Sequence, residues 1–500
     1  MTGPYEDLPE GEGPRENGLS PDPEEAAQDA VLRHVLDAVR GGDTPDVVPA
    51  SSSVAGFAEF LAVEAVLDKR WPETKMEPSL ERIRDLVELL GDPQRGYPVI
   101  HLTGTNGKTS TTRMIDSLLT ALGLTTGRFT SPHLHSFRER ITIGGEPIDP
   151  ERLVEVYDEV QPMVQLVDDR AVASGGEALN FFMMSVVLAY AAFADAPVDV
   201  AVVEVGLGGT WDATNVADGQ VAVVTPVAID HAQLLGSTVA EIATEKSGII
   251  KPGAITVSSI QERDVAEILL ERANDVGARI LFEGNDFGVT AREVALGGQQ
   301  LSLRGIAGEY PDIYLPLHGE HQASNAATAL AAVEAFLGGG EQRLDLDVVR
   351  QGFADVTSPG RLEIVRRSPT VLVDAAHNPA GMRALRAALG DAFTFTRLVG
   401  LVAIFADKEP AEMLEILEPA IDHVVITRNT SPRSLPPREL GRIATEIFGE
   451  DRVTVEESMP DAIDAAVTLA EEDGMGGGVI VTGSVVTAAD ARLLLGADDT

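Results

Sequence analysis

Five hundred residues exceed one ordinary hydrophobic core and predict two or three domains. With 79 acidic against 38 basic residues the formal net charge is −41, which argues against a nucleic-acid backbone or an anionic membrane surface as partner. No cysteine is present, so neither a disulfide framework nor a thiolate metal site is available. The start, Met1 to Asn17, is acidic without an apolar core, and no signal peptide is expected there. The longest apolar run, Phe181 to Ala194, is too short to span a bilayer. A cytoplasmic enzyme is the expectation.

Residues 1–53 are rich in Asp, Glu, Pro, Gly and Ser and read as a disordered acidic tail, with a transient helix over Glu24 to Arg40 at most. Phe57 to Leu67 has the spacing of an amphipathic helix, and Ser79 is placed to cap a second one that runs to Leu90 and closes at Gly91 and Pro93. Val99 to Thr103 reads as a short buried strand. From His101 the chain runs H-L-T-G-T-N-G-K-T-S, and Thr111 to Leu122 then carries apolar residues at helical spacing until Gly123. Strand, glycine-rich turn and helix are the parts of a phosphate cradle. In it the backbone N–H groups of Gly104, Thr105, Asn106, Gly107 and Lys108 point inward beside the positive end of the helix. Lys108 would reach the outer phosphates, and the Thr109 hydroxyl would face Mg²⁺, with Ser110 next to it. Leu102 stands where G-x-x-x-x-G-K-[ST] has its first glycine. The bland alternative is a tight strand-to-helix turn.

Further on, T-S-P-H-L-H-S-F-R-E-R-I-T-I (Thr130 to Ile143) reads as a shaped loop, with Ser131 facing the magnesium or, on the bland reading, with His133 and His135 merely solvated. Asp199 to Gly206 is an apolar strand carrying one carboxylate, Glu204, which is either paired or holding a metal. The strand Val221 to Ile229 leads into Asp230-His231, at the edge where ligands bind in such sheets. Lys246 sits on a helix just before Gly248, and nothing in its position excludes a solvated lysine. Val289 to Leu303 alternates as a small antiparallel excursion. Asn325 falls in the first turn of an alanine-rich helix, Ala323 to Phe336. Thr357 to Arg361, T-S-P-G-R, marks a hinge, dividing the chain into 54–357 and 358–500. Beyond it, strands at Val371 to Ala375, Phe395 to Val402, His423 to Thr427 and Val479 to Thr482 alternate with helices, the pattern of a second doubly wound domain. No internal repeat is visible.

The ordered motifs G-T-N-G-K-T-S, T-S-P-H-L, E-R-I-T-I, E-V-G-L-G-G-T-W-D-A-T-N, D-H, E-K-S-G-I, H-Q-A-S-N-A, S-P-G-R-L-E and D-A-A-H-N-P resemble the folylpolyglutamate synthases, nearest to the bacterial type that is also a dihydrofolate synthase. The resemblance runs from about residue 55 to the C-terminus. It implies an α/β fold: a P-loop, Mur ligase-like ATPase domain followed by a smaller Rossmann-like domain. It also implies an ATP- and Mg²⁺-dependent monomeric ligase that adds L-glutamate to folate, and to dihydropteroate, through an acyl phosphate. Every reactant is anionic, so catalysis rests on positioning and positive charge. On this resemblance Lys108, His231 and Lys246 are the catalytic groups. Thr109, Ser131, Glu204, His231 and a carbamylated Lys246 hold two Mg²⁺ ions, and Asn325, Arg361, Asp374 and His377 join the loop around the nucleotide. A carbamate forms only on a neutral amine, so the site must depress the Lys246 pKa. The acceptor is expected against Phe181, Phe182, Met183, Trp211, Asp212 and Ala213.

Three departures fall on the acceptor side: Met183 where relatives carry Glu, Thr210 where they carry Arg, and Gln233 where a second acid follows Asp230-His231. They predict weak use of dihydropteroate. Two other readings remain open on sequence: a paralogue with a different acid acceptor, and an ATP-binding paralogue that no longer ligates. Retention of Lys108, Glu204, His231 and Lys246 together speaks against the latter.

Overall fold

The computed structural model describes residues 53–71, 78–472 and 474–497. The expected tail and its transient helix lie outside them, apart from Ser53. Among the described residues no helix is long and apolar enough to cross a membrane.

Strands β1 (Val99–Thr103), β2 (Thr126–Phe129), β3 (Ile141–Ile143), β4 (Glu146–Pro147), β5 (Val200–Glu204), β6 (Val221–Val224), β7 (Ile255–Ser258) and β8 (Arg279–Phe282) form one sheet in the order β4-β3-β2-β5-β1-β6-β7-β8. It is parallel from β2 to β8, with an antiparallel edge at β3 and β4. Helices cover both faces, which is why these strands read as continuous runs of Val, Ile and Leu. Ala201 and Val203 pack with the helix Phe181–Asp195, while Ile100, Leu102 and Val223 pack with the helices Lys108–Ala121 and Glu320–Gly338. A small antiparallel sheet, β9 (Gly288–Ala295), β10 (Gly298–Arg304) and β11 (Glu309–Leu315), follows. Strands β12 (Glu363–Arg367), β13 (Thr370–Val373), β14 (Arg397–Val402), β15 (His423–Ile426), β16 (Val453–Val455) and β17 (Gly477–Thr482) then form a second sheet, β12-β13-β17-β14-β15-β16. Only β12 runs antiparallel in it.

Two α/β sheets in series agree with the expected fold class. Four local differences have physical reasons. The helix after the glycine turn begins at Lys108 rather than Thr111, because Gly107 at φ 87° ends the turn and K-T-S forms the first helical turn with no apolar residue to mark it. The Ser79 hydroxyl accepts the Glu81 N–H, yet the cap position of that helix is Leu80. Strand β6 ends at Val224, so Asp230 and His231 ride on a loop. The alanine-rich helix starts at Glu320, which moves Asn325 to its second turn.

Candidate active site

Because β1 lies between β5 and β6, with Leu102 opposite Glu204 and Thr103 opposite Val224, the chain leaving β1 emerges beside the only carboxylate of β5. There it turns through Gly104 (φ 147°) to Gly107 (φ 87°), backbone conformations that L side chains rarely adopt. Thr105 ties this turn to the next loop, donating its N–H to the Pro226 carbonyl (2.9 Å) and its hydroxyl to that of Ala228 (2.9 Å). A cleft opens above it, walled on the far side by residues that precede and follow β13.

Lys108 folds back over the turn, its Nζ donating to the Gly104 and Thr105 carbonyls (3.2 and 3.3 Å). One residue on, the Thr109 hydroxyl lies 3.0 Å from each Glu204 oxygen. Burial raises the Glu204 pKa, opposed by the Lys108 ammonium and the Thr109 hydrogen bond. Ser131 lines the cleft as well. Among the described residues no three His, Asp or Glu side chains gather into a chelating cluster. The donor set is hydroxyls with one carboxylate, the kind Mg²⁺ accepts while it keeps water and phosphate oxygens as its other ligands.

Lys246 is buried, and its Nζ donates to the Gly104 carbonyl at 2.7 Å. Burial, then the Lys108 charge, push its amine down to about 7. This lysine is therefore not the solvated one that its position alone allowed. His231, in the left-handed region at φ 51°, donates its backbone N–H to its neighbour Asp230 (2.8 Å). Burial pushes its imidazole down to about 4 despite the nearby Asp230 carboxylate, so it is neutral and able to ligate at neutral pH.

Asn325 stands beside the glycine turn, and Arg361, Asp374 and His377 stand across the cleft. The Asp374 carboxylate accepts the Leu362 and Ala376 N–H groups (2.9 Å each), and burial raises its pKa against the pull of Arg361. His133 is not a solvated loop residue: Arg140 Nε donates to its Nδ1 at 2.8 Å, and burial lowers it to about 3.

The six acceptor-side residues do not line this cleft. Phe181, Phe182 and Met183 begin a helix buried on all sides, with Phe181 under the Arg140 guanidinium (5.0 Å) and Phe182 against Phe129 (6.0 Å). Met183 caps nothing and packs in the same core as Ala213. Trp211 packs against the core containing Val205. The buried Asp212 carboxylate accepts the N–H groups of Leu207 and Thr214 and the Thr214 hydroxyl, holding its own loop together. Thr210 satisfies itself on the Glu245 carbonyl (3.0 Å). No orphaned charge marks the departures at 183 and 210.

A Mur ligase middle-domain family matches residues 178–333, and a Mur ligase glutamate ligase-domain family matches 360–485. The chain is 52% identical to a dihydrofolate synthase/folylpolyglutamate synthase of Mycobacterium tuberculosis, over 91% of its own length and 97% of that protein. The chain belongs to the folylpolyglutamate synthase family. A solved Mycobacterium tuberculosis folylpolyglutamate synthase complexed with ADP superposes with a TM-score of 0.85 at 51% identity, covering 89% of this chain and all of that one. An FPGS–AMPPCP–folate complex gives 0.77 at 32% identity, covering 87% and 99%.

Sequence reasoning missed part of this folylpolyglutamate synthase cleft. His321 and Gln322 line it. Gln322 Oε1 accepts from the Asn325 amide (3.0 Å), and its Nε2 donates to Ser110 (3.3 Å), whose hydroxyl also meets Ser358 of the hinge (3.1 Å). Lys408 and Asn378 went unnoticed. Lys408 Nζ sits 2.5 Å from Asp230 Oδ1, the Asn378 amide donates to Asp230 Oδ2 at 2.8 Å, and His377 Nε2 stands 3.5 Å from the same oxygen. Asn378 also exchanges amide hydrogen bonds with Asn106 of the glycine turn (3.1 and 3.3 Å). Burial alone would raise the Asp230 carboxyl, but the His377 hydrogen bond and the surrounding cations hold it well below the usual carboxylate range. Nothing about a lone lysine in I-F-A-D-K-E-P points to a partner 178 residues earlier.

Proposed function

We propose that this protein is an ATP-dependent amide ligase that adds L-glutamate to folates. The acceptor carboxylate attacks the γ-phosphorus of ATP, giving an acyl phosphate and ADP. The glutamate amine then attacks the acyl carbon, phosphate leaves, and the amine proton passes to solvent or to the departing phosphate. The supporting observation is the convergence, in one cleft, of the glycine turn with Lys108, the Thr109–Glu204 pair and the second half's Arg361, Asp374 and His377. Relatives solved with ADP and with AMPPCP and folate support the same reading.

Lys108 neutralises the migrating phosphoryl group, and the turn's N–H groups hold the phosphates in line. Asn325, Arg361, Asp374 and His377 hold the nucleotide. Thr109, Ser131, Glu204 and His231 would hold Mg²⁺, with Lys246 as its carbamate serving a second ion. When bound, the metal neutralises phosphate charge as the transfer proceeds. With a pKa near 7, a Lys246 amine is neutral in about half of the molecules at neutral pH, and the neutral form is the one that takes up CO₂. We take residues 54–357 as the ATP-binding domain and 358–500 as the smaller ligase domain.

Purified protein with ATP, Mg²⁺ and L-glutamate is offered tetrahydrofolate or dihydropteroate, and phosphate release is followed. Glutamate-dependent release with tetrahydrofolate is expected, lost by at least about 100-fold in Lys108→Ala. No release with any folate sinks the ligase reading.

A further inference from the structure

The loop that carries Asp230 and His231 is held from the side away from the glycine turn by a residue the reaction does not touch. Strands β6 and β7 pair in parallel as far as Val224 opposite Ser258, and the Ser259 N–H still donates to the Val224 carbonyl at 2.9 Å. There the two chains part. The one leaving β7 turns into the helix Arg263–Val276, while the one leaving β6 runs on from Thr225 to His231.

Gln261, half-buried in the short connection before that helix, spans the gap. Its Nε2 donates to the Thr225 carbonyl at 3.1 Å, and its Oε1 accepts the Val227 N–H at 3.0 Å. The Val224 carbonyl and the Ser258 hydroxyl lie 3.4 Å from the same nitrogen. Bonding a C=O and an N–H two residues apart is what one residue of a parallel strand does to its neighbour, so the side-chain amide continues the β6–β7 ladder after the main chain has left it. From the other side the glycine turn grips the same segment. The Thr225 N–H donates to the Thr103 carbonyl (2.9 Å), and the Thr105 and Asn106 N–H groups donate to the Pro226 carbonyl (2.9 and 3.4 Å).

Thr225 and Val227 are buried, and among the described residues neither the Thr225 carbonyl nor the Val227 N–H has another protein partner. Without the Gln261 amide the segment must move to let water reach both groups, because a buried polar group left unpaired is costly. Gln261 itself does not line the cleft.

We propose that Gln261 is a positioning residue, whose side-chain amide supplies the last rung of the β6–β7 ladder and so fixes the backbone that presents His231 to the cleft. The inference rests on the ligase reading with its metal at His231, and deepens it. A purely stabilising Gln261 would change the melting temperature and the fraction of folded protein, but not the affinity of each folded site for the metal.

The full-length protein is compared as wild type, Gln261→Met, His231→Ala and the double variant. Mn²⁺ binding to the protein held in ADP is followed by water-proton relaxation, with no turnover, and the melting temperature is recorded. Gln261→Met, equal in length but without the amide, should weaken Mn²⁺ binding about tenfold or more, the usual cost of losing a group that orients a metal ligand. In the His231→Ala background the same change should weaken it by no more than about a further twofold, because the two residues act through one imidazole. Wild-type Mn²⁺ affinity in Gln261→Met overturns the proposal, whether or not the melting temperature falls. So does a loss of the same size in both backgrounds. If Gln261→Met fails to fold, Gln261→Glu carries the test: it keeps the acceptor for Val227 and removes the donor to Thr225, and wild-type affinity in it overturns the proposal. A weakened His231→Ala beside an indifferent Gln261→Met sinks only this inference, whereas a His231→Ala that binds Mn²⁺ like wild type sinks the metal reading beneath it.

Discussion

Lys246 holds an amine where a cation is poorly accommodated, and pH exposes this. Its folded pKa near 7 lies below the 10.5 of an unhindered lysine. The unfolded chain therefore binds a proton that the folded chain releases between those values, so the lysine's unfavourable contribution grows as pH falls from about 10.5 to 7 and is constant below. Lys246→Met should melt higher than wild type at pH 6, and the difference should shrink as pH rises toward 10, on top of a pH-independent loss of the bond to Gly104. A difference flat from pH 6 to 10 contradicts the depressed pKa. At this scale the sequence was readable where chemistry is local. Gly104 to Ser110 announce themselves, and so did Glu204, one carboxylate in an apolar strand. His231, Asn325, Arg361, Asp374 and His377 were legible through the order of motifs, and the structure brings all of them to one cleft. Met183, Trp211 and Asp212 were assigned to the acceptor by resemblance, but none of them lines that cleft: Met183 and Asp212 are buried, and Trp211 is half-buried against the core containing Val205.

The element that sets the geometry is the turn between β1 and its helix, where two glycines do different work from the usual loop. Leu102, at the missing first-glycine position, is buried in the strand itself, so the turn begins only at Gly104. At Gly107 an added Cβ would stand 2.6 Å from Asn325 Oδ1, in a backbone at φ 87°. Gly123 shares that φ but faces open space. Gly123→Ala should therefore lose only the backbone strain, about 1–2 kcal/mol, and keep its affinity for ADP. Gly107→Ala should lose at least as much stability and also bind ADP about tenfold or more weakly, by calorimetry, since the clash pushes Asn325 away from the cradle. Equal ADP affinities for the two variants contradict this account. Strands β1, β5, β6, β13, β14, β15 and β17 and the glycine turn were visible as apolar runs with punctuation, whereas the inner strands β2 and β7, four residues each, were not. Strands β12 and β16 were not, because Glu363–Arg367 and Val453–Val455 lie at sheet edges, where charged and half-exposed residues blur the pattern.

At the scale of the molecule, the two sheets meet through Asp230. Its carboxylate is bound by Lys408, Asn378 and His377 from the second half, while its own backbone neighbour is His231. The Lys408 and Asp230 side chains are 5% and 7% exposed, so removing one leaves a buried charge without its partner. Lys408→Ala should cost about 3 kcal/mol or more and split one calorimetric unfolding transition into two. A single transition at the wild-type temperature contradicts a joining role. This contact could not be read from the chain, because only the folded arrangement of both sheets brings residues 230 and 408 together. It also means that seating the second half and setting the backbone that carries His231 are a single equilibrium. By thermodynamic reciprocity, if a nucleotide held against Arg361 and Asp374 as proposed steadies the imidazole beside Asp230, whatever occupies the imidazole favours the nucleotide by the same factor.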